Sequence, residues 1–175
     1  MRDRMTAEEL KQLLRLEPHP REGGWFRQTW RADESLPGAV LPARYVDGRE
    51  AGRAAGTAIF YLLEPGTFSE MHRLASDEVF HFYLGDPVEM LQLFPDGTGR
   101  TLLLGSDLAA GQLVQTVVPK GVWQGSRLLP GGSVALLGCT VSPGFEYVDY
   151  ESGDRAALAE KWPAWAEKIA VLTRS

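Results

Sequence analysis

Two of the three histidines in this chain lie close to a carboxylate in one short stretch, and this group is the first place to look for chemistry. Residues 70–87 read EMHRLASDEVFHFYLGDP and contain His72, Glu78 and His81. Imidazole and carboxylate groups act as metal ligands, as proton donors and acceptors, or as hydrogen-bonded parts of a core. Strand-forming residues surround all three, so strand geometry decides which side chains share a face.

Strand alternation separates the members of this group. In residues 78–84, Glu78 and Phe80 fall on one face of the predicted strand, and His81 and Tyr83 fall on the other. If Glu78 faces the interior, His81 faces away unless a bulge intervenes, and it then packs between sheets or at a dimer contact. We therefore treat His72 and Glu78 as one candidate site. His81 either joins this site through a bulge or packs outside it.

The elements that must position this site are short strands, with helices only at the two ends. Thr6 and Glu9 form a capping box for a helix over 6–16 that ends before Pro18. Helical spacing returns over 154–172, where Pro163 starts a second helix. The whole chain, 1–175, is predicted to be one domain with its barrel over about 24–150 and a long loop over 31–54. The predicted strands are 24–30, 56–64, 67–73, 78–84, 88–94, 100–104, 113–118, 122–128, 133–141 and 146–150. Such closely spaced short strands are typical of an all-β sandwich or barrel.

Composition excludes several classes of function. The net charge is -5, and the Lys/Arg clusters that bind nucleic acid are missing. No apolar run approaches the roughly 20 residues that span a membrane, and the opening MRDRMTAEEL lacks a signal-peptide core. Cys139 is the only cysteine and is flanked by apolar residues, which predicts a buried, inert thiol. We expect a cytoplasmic protein whose partner is a small molecule.

Four blocks of the sequence, taken together and in order, resemble one protein family. They are EGGWFRQTWR (22–31), the His-Arg to Gly-Asp-Pro run (72–87), PKGVWQG (119–125) and GCTVSPGFE (138–146). They resemble the cupin superfamily, and within it the RmlC-like fifth cupin group, whose members are mostly of unknown function. The resemblance implies a double-stranded β-helix, or jelly roll, and a homodimer.

The resemblance also implies a metal site, with two departures from the family pattern. His72 matches the first histidine of the first cupin motif, and Glu78 matches its carboxylate. Leu74 occupies the second histidine position, and Gln124 replaces the histidine of the second motif. The implied ligands are therefore His72, Glu78 and Gln124, holding Zn, Ni or Fe weakly if a metal is present.

The remaining candidate residues each have a functional and a structural interpretation. Phe60, Phe80 and Trp123 either line an apolar binding pocket or pack in the core. Arg73 either clamps an anionic ligand or lies exposed at a strand end. His19, between two prolines, is predicted to lie in a surface loop.

Three functions are consistent with these residues. The first is a barrel that binds a small organic ligand in an aromatic-lined pocket, which the loss of two cupin ligands favours. The second is an RmlC-like epimerase or isomerase acting on a small carbohydrate. In that enzyme His72 would be the general base, Glu78 its orienting partner, and Tyr61 or Tyr83 the acid. The third, a metal-dependent oxygenase, ranks last because only His72 of its two histidines is in place.

Overall fold

The computed structural model describes residues 5–48 and 52–174, which form short strands with helices at both ends. The helices are α1 (Ala7–Leu14), α2 (Arg155–Lys161) and α3 (Ala166–Val171). The strands are β1 (Glu17–Pro18), β2 (Trp25–Arg31), β3 (Ser35–Leu36), β4 (Arg53–Ala54), β5 (Thr57–Leu63), β6 (Phe68–Arg73), β7 (Asp77–Gly85), β8 (Val88–Leu93), β9 (Gly99–Leu104), β10 (Gln115–Val118), β11 (Trp123–Leu128), β12 (Ala135–Ser142) and β13 (Glu151–Ser152).

Eleven of the strands form two packed sheets, and neighbouring strands within each sheet run antiparallel. One sheet has the order β1-β2-β5-β12-β7-β10, and the other has the order β13-β6-β11-β8-β9. Strands distant in sequence lie side by side, as β6 and β11 do, which is typical of the double-stranded β-helix. This is the all-β jelly roll that the sequence predicts, with short helices at the ends.

The interior between the sheets is filled by the inward side chains of both. Tyr61 and Phe80 come from the six-stranded sheet, and Met90 and Leu104 come from the five-stranded sheet; none is more than 1% exposed. Successive side chains of a strand point to opposite faces, so the outward residues of these strands need other partners.

The terminal helices cover part of the two outer faces. At the N-terminus the Thr6 side chain accepts a hydrogen bond from the Glu9 amide, and the capping box starts α1 as predicted. The apolar side of α1 places Leu10 against Leu62 and Leu136 on the outside of the six-stranded sheet. The C-terminal helices, joined by a 3-10 turn at Pro163–Trp165, cover the outside of the five-stranded sheet.

Two sequence predictions differ from the structure. The predicted strand 146–150 is a 3-10 helix, Tyr147–Asp149, followed by the short strand β13. The predicted loop 31–54 contains strands β3 and β4, which pair with each other, and the 3-10 helix Gly38–Val40. The strands in both segments are only two residues long. A strand of two residues shows no alternating pattern, so the sequence does not locate it.

Candidate functional site

The structure brings His72 and Gln124 together on the inner face of the five-stranded sheet. His72 in β6 pairs directly with Gln124 in the neighbouring strand β11. Directly paired residues of an antiparallel ladder project to the same face. Their exposed fractions are only 1% and 2%, so both side chains lie inside the barrel.

Glu78 reaches the same place from the opposite sheet. It stands near the start of β7, and the Gln124 Nε2 donates a hydrogen bond to the Glu78 Oε2. The thiol of Cys139 also hydrogen-bonds to this carboxyl group. His72, Glu78 and Gln124 therefore converge from three strands, and the Gln124–Glu78 contact joins the two sheets.

Burial changes the acidity of Glu78. Removal from water disfavours the charged form and raises the pKa of its carboxyl group from 4.5 to about 7, although the nearby His72 acts in the opposite direction. Nearby Glu22 raises the same pKa further by charge repulsion. A carboxylic acid with this pKa exchanges protons readily at neutral pH.

His72 is fixed in one orientation by two contacts. Its Nδ1 lies 2.7 Å from the main-chain oxygen of Glu70, and its ring stacks on Tyr150 with centroids 4.8 Å apart. A carbonyl oxygen can only accept, so Nδ1 donates the proton and Nε2 of the neutral ring carries the free lone pair. Tyr150 is held in turn because its hydroxyl donates to Glu70 Oε1 at 2.9 Å.

The second half of the site, His19 and Glu22, is missed by the sequence analysis. The prediction that His19 lies in a surface loop is wrong, since its side chain is only 5% exposed. The Glu22 amide donates to His19 Nδ1 at 2.9 Å, and His19 Nε2 lies 3.7 Å from the Glu22 carboxylate. Burial lowers the pKa of His19. The Glu-Gly-Gly-Trp block that begins at Glu22 was the available signal. Its two glycines mark a tight turn, but in the sequence the block served only as part of the family resemblance.

That turn is what directs Glu22 inward. Gly23 and Gly24 have φ angles of 98° and 68°, which favour glycine. A Cβ at Gly23 would overlap the main-chain oxygen of Phe68. The hydroxyl of Tyr61 donates to the Gly23 oxygen at 2.7 Å, and Ser69 donates to Glu22 itself. The tight turn therefore presents Glu22 to the interior beside β6.

These groups surround a cavity of about 80 Å³ at one end of the barrel. A water needs roughly 10–15 Å³ measured in this way, so the cavity has room for a molecule of a few heavy atoms. The polar lining comes from His19, Glu22, Gln28, Thr57, His72, Glu78 and Cys139. The apolar and aromatic lining comes from Phe26, Ile59, Leu74, Val141, Phe145, Tyr147 and Tyr150.

Three candidate residues of the six-stranded sheet lie on its outer face, away from the cavity: Phe60, His81 and Tyr83. Phe60 and Tyr83 contact each other edge to face at 6.0 Å on the outer face, and Tyr83 is 51% exposed. His81 lies on the same outer face, where Nε2 is 3.1 Å from the Thr140 hydroxyl and its ring lies parallel to Tyr83. Tyr83 is therefore not placed to act as an acid in the cavity.

Three further predicted ligand-binding residues also lie away from the cavity. Phe80 shares the inner face with Glu78, but it packs deeper in the core and is 1% exposed. Trp123 packs beneath the C-terminal helices. Arg73 lies 4.7 Å from the Trp123 ring and pairs with Glu151 at 2.7 Å, on the outside of the sheet.

The residues of the cavity do not fit a divalent metal. Within 5–48 and 52–174, no group of three or more His, Cys, Asp or Glu side chains is arranged to hold one. Leu74 brings an apolar side chain to the cavity, and Gln124 directs its amide nitrogen, rather than its oxygen, at Glu78. Metal ligands must present lone pairs, so an amide N–H donor cannot serve.

Fold and site together define a cupin barrel with a polar and aromatic cavity at one end. The Cupin_5 family, described as cupin superfamily (DUF985), matches residues 8–153. The chain belongs to this family.

Relatives of known structure match along almost the full length. A protein of Shewanella oneidensis, SO0799, is 33% identical with a TM-score of 0.83, and covers 98% of this chain and 99% of its own. A hypothetical protein from Leishmania major is 30% identical with a TM-score of 0.85, covering 98% and 100%. The uncharacterized protein YML079W of Saccharomyces cerevisiae is 29% identical over 138 residues, or 74% of this chain and 67% of that protein.

A more distant likeness concerns the fold alone. Oxalate decarboxylase from Bacillus subtilis is 14% identical with a TM-score of 0.52, and the match covers 90% of this chain and 37% of the decarboxylase. Among the described residues, no helix is both long enough and apolar enough to cross a bilayer.

Proposed function

We propose that this protein binds a small organic molecule in the cavity between His72, Glu78 and Glu22. The supporting observation is a cavity of about 80 Å³. Its lining is apolar and aromatic except for a set of buried polar groups that face the cavity. Ligand pockets typically combine such a lining with a few convergent polar groups that fix orientation. The free lone pair of His72 Nε2 and the Glu78 carboxyl group supply that orientation.

A fragment screen followed by protein-observed NMR tests this proposal. We expect fragments of a few heavy atoms to shift the resonances of cavity residues in a saturable way. Ile59 lines the cavity, so Ile59→Phe fills part of it and should weaken binding about tenfold or more. Ile59→Val, which leaves the space open, is the matched control. Equal binding to both variants would place the ligand elsewhere, and the absence of any saturable fragment would refute the proposal.

A second function, proton transfer to and from a carbon acid, is favoured by the pKa of Glu78. A group with a pKa of about 7 is well matched to acid–base work at neutral pH. The His72 Nε2 would accept the proton as general base, as in the epimerase or isomerase alternative, and Glu78 would be the acid in place of Tyr61 or Tyr83. The Tyr61 hydroxyl is already bound to the Gly23 oxygen, and Tyr83 lies outside.

This second function is tested by hydrogen exchange. Small α-hydroxy ketones and aldoses are incubated with the protein in D₂O, and deuterium entry at the carbon next to the carbonyl is followed by NMR. We expect His72→Gln to abolish any catalysed exchange, and Glu160→Gln, on the exposed face of α2, to leave it unchanged. Exchange at the uncatalysed rate with every substrate would leave binding as the function.

A further inference from the structure

The cavity is lined by two buried carboxyl groups, and the basic side chains of the lining are the two histidines His19 and His72. Glu22 and Glu78 are 8% and 7% exposed, and both line the cavity. The lining contains neither lysine nor arginine. Within the part of the chain that the structure describes, neither carboxyl group forms an ion pair with a lysine or an arginine. His19 Nε2 lies 3.7 Å from the Glu22 carboxylate, and burial lowers the pKa of His19, which favours the neutral ring. His72 lowers the pKa of Glu78, but burial raises it by more.

Of the cationic side chains near the cavity, Arg174 and Arg31 are engaged by other carboxylates, and Arg21 lies 5.4 Å from the Tyr147 ring. Arg174 Nε lies 3.2 Å from the carboxylate of Glu70, which also accepts a hydrogen bond from the Tyr150 hydroxyl. Arg31 lies 2.6 Å from Glu146, next to the lining residue Tyr147. The lining itself therefore offers an anionic ligand no lysine or arginine, and it contains two carboxyl groups.

The negative charge of Glu22 acts on several groups of the lining, which supports an electronegative cavity. Burial is the main cause of the raised pKa at Glu78, Tyr147 and Tyr150, and the charge of Glu22 adds to it at each of them. Glu22 also raises the pKa of Cys139 in this way, after burial and the charge of Glu78. A single negative charge that acts on four lining groups creates a potential that attracts cations.

The aromatic lining adds a second attraction for cations. The ring of Phe26 lies 4.6 Å from that of His19, and Phe145 meets Tyr147 edge to face at 5.1 Å. The faces of such rings carry negative electron density and bind ammonium groups while their surface also packs against alkyl chains. Tyr147 already binds the guanidinium of Arg21 at 5.4 Å, which shows that this ring accepts a cation.

We propose that the ligand of this cavity is a small organic cation, namely an alkyl amine in its ammonium form. Its nitrogen lies between Glu22 and Glu78, and its alkyl part packs against Phe26, Phe145 and Tyr147. This inference rests on the proposed binding function and specifies its ligand class. The ammonium supplies a charge partner to two buried carboxyl groups that pair with no lysine or arginine within the described residues, and burial makes an unpaired charge strongly unfavourable.

Three probes of nearly equal shape and different charge test the ligand class. Isobutylammonium, isobutanol and isobutyrate are titrated at pH 8 into 15N-labelled protein, and the shifts of cavity residues give each dissociation constant. We expect isobutylammonium to bind at least about tenfold more tightly than isobutanol, and isobutyrate not to saturate. Equal or tighter binding of isobutanol or isobutyrate overturns the cation proposal and leaves small-molecule binding intact. Failure of all three probes overturns it as well, and the fragment screen then decides whether any small molecule binds.

Matched variants identify the carboxyl groups that recognise the cation. Glu22→Gln and Glu78→Gln keep the side-chain size and remove the charge, so each should weaken isobutylammonium about tenfold or more and leave isobutanol nearly unchanged. Glu160→Gln, on the exposed face of α2, is the control and should change neither. The two cavity variants are independent, so loss of fold in one leaves the other as the test. Parallel weakening of both probes by a folded variant would show a structural effect and contradict recognition of charge.

Discussion

At the scale of single residues, the site is defined by carboxyl groups whose burial is only partly compensated. Glu78 accepts a hydrogen bond from Gln124 and contacts the thiol of Cys139, yet its pKa still rises to about 7. Desolvation therefore exceeds what these neutral partners return. Burial of this carboxyl group therefore lowers the stability of the fold by an amount that depends on pH. Perturbed carboxyl groups of this kind are typical of functional sites.

The first prediction concerns that cost. The folded-state pKa of Glu78 lies above its unfolded value of 4.5, so the folded protein holds the proton more tightly between these values. Its contribution to stability is present below pH 4.5 and is lost as pH rises through about 7. The rise from 4.5 to about 7 corresponds to about 3 kcal/mol at 1.36 kcal/mol per unit. Glu78→Gln should therefore match the wild type near pH 4.5 and exceed it by up to about 3 kcal/mol at pH 8.

Urea unfolding of both proteins from pH 4.5 to pH 8 measures this difference. Comparing variant with wild type removes the opposing contribution of His19, whose lowered pKa makes stability rise with pH through its own range. Groups that face Glu78 from the neighbouring strands, His72 and Cys139, are common to both proteins. A stability difference that is constant with pH would show that Glu78 is not titrating as its burial requires.

At the scale of elements, the C-terminal helices cover apolar surface that the five-stranded sheet would otherwise expose. Trp162 is 3% exposed and packs against Leu93 and Met71, and its Nε1 donates to the Phe94 oxygen at 3.2 Å. Met71 immediately precedes His72 in β6 and points to the opposite face. The helices therefore pack on the outer side of β6, the strand whose inner side carries His72.

The second prediction follows from that packing. Trp162→Ala removes a large buried side chain together with one hydrogen bond and should lower the free energy of unfolding by about 3–5 kcal/mol. Val171→Ala in α3, where the side chain is 44% exposed, is the control and should cost well under about 1 kcal/mol. Chemical denaturation followed by tryptophan fluorescence and circular dichroism measures both. A small effect of Trp162→Ala would mean that the tail is not part of the cooperative unit.

At the scale of the whole molecule, the outer face of the six-stranded sheet is covered only in part. Helix α1 packs on Leu62 and Leu136 at one end of this face. Further along it, Trp30, Tyr83 and Val117 are 50%, 51% and 46% exposed. Exposed apolar side chains on the face of a sheet are typical of an interface.

The third prediction is that two copies of the chain associate through this face. Light scattering at micromolar concentration should give the mass of a dimer for the wild-type protein. Tyr83→Asp brings like charges together across a two-fold contact and should shift the mass to that of a monomer. Leu108→Asp, at a residue 64% exposed in the turn after β9, is the matched control and should remain dimeric. A monomeric wild-type protein would refute the prediction.

The sequence determined the strands, their turns and the first half of the site. Strand formers separated by Gly and Pro turns predicted nine strands whose centres match those of the structure, and the cupin-like spacing placed His72, Glu78 and Gln124 together. These features depend on local preferences and on the period of two along a strand, both of which can be read from one segment at a time.

Only the tertiary structure decided which face of each strand turned inward and which distant segments met. In β5, Phe60 and Leu62 alternate with Ile59 and Tyr61, so both faces are apolar and the period alone does not select the buried one. Packing selected Ile59 and Tyr61 because α1 covers Leu62 from outside. His19 and Tyr147 are far apart in the sequence. Folding of the chain brings both to the cavity, with their ring centroids 6.2 Å apart. Contacts between segments so far apart leave no local pattern, and for that reason the electronegative half of the site emerged only from the structure.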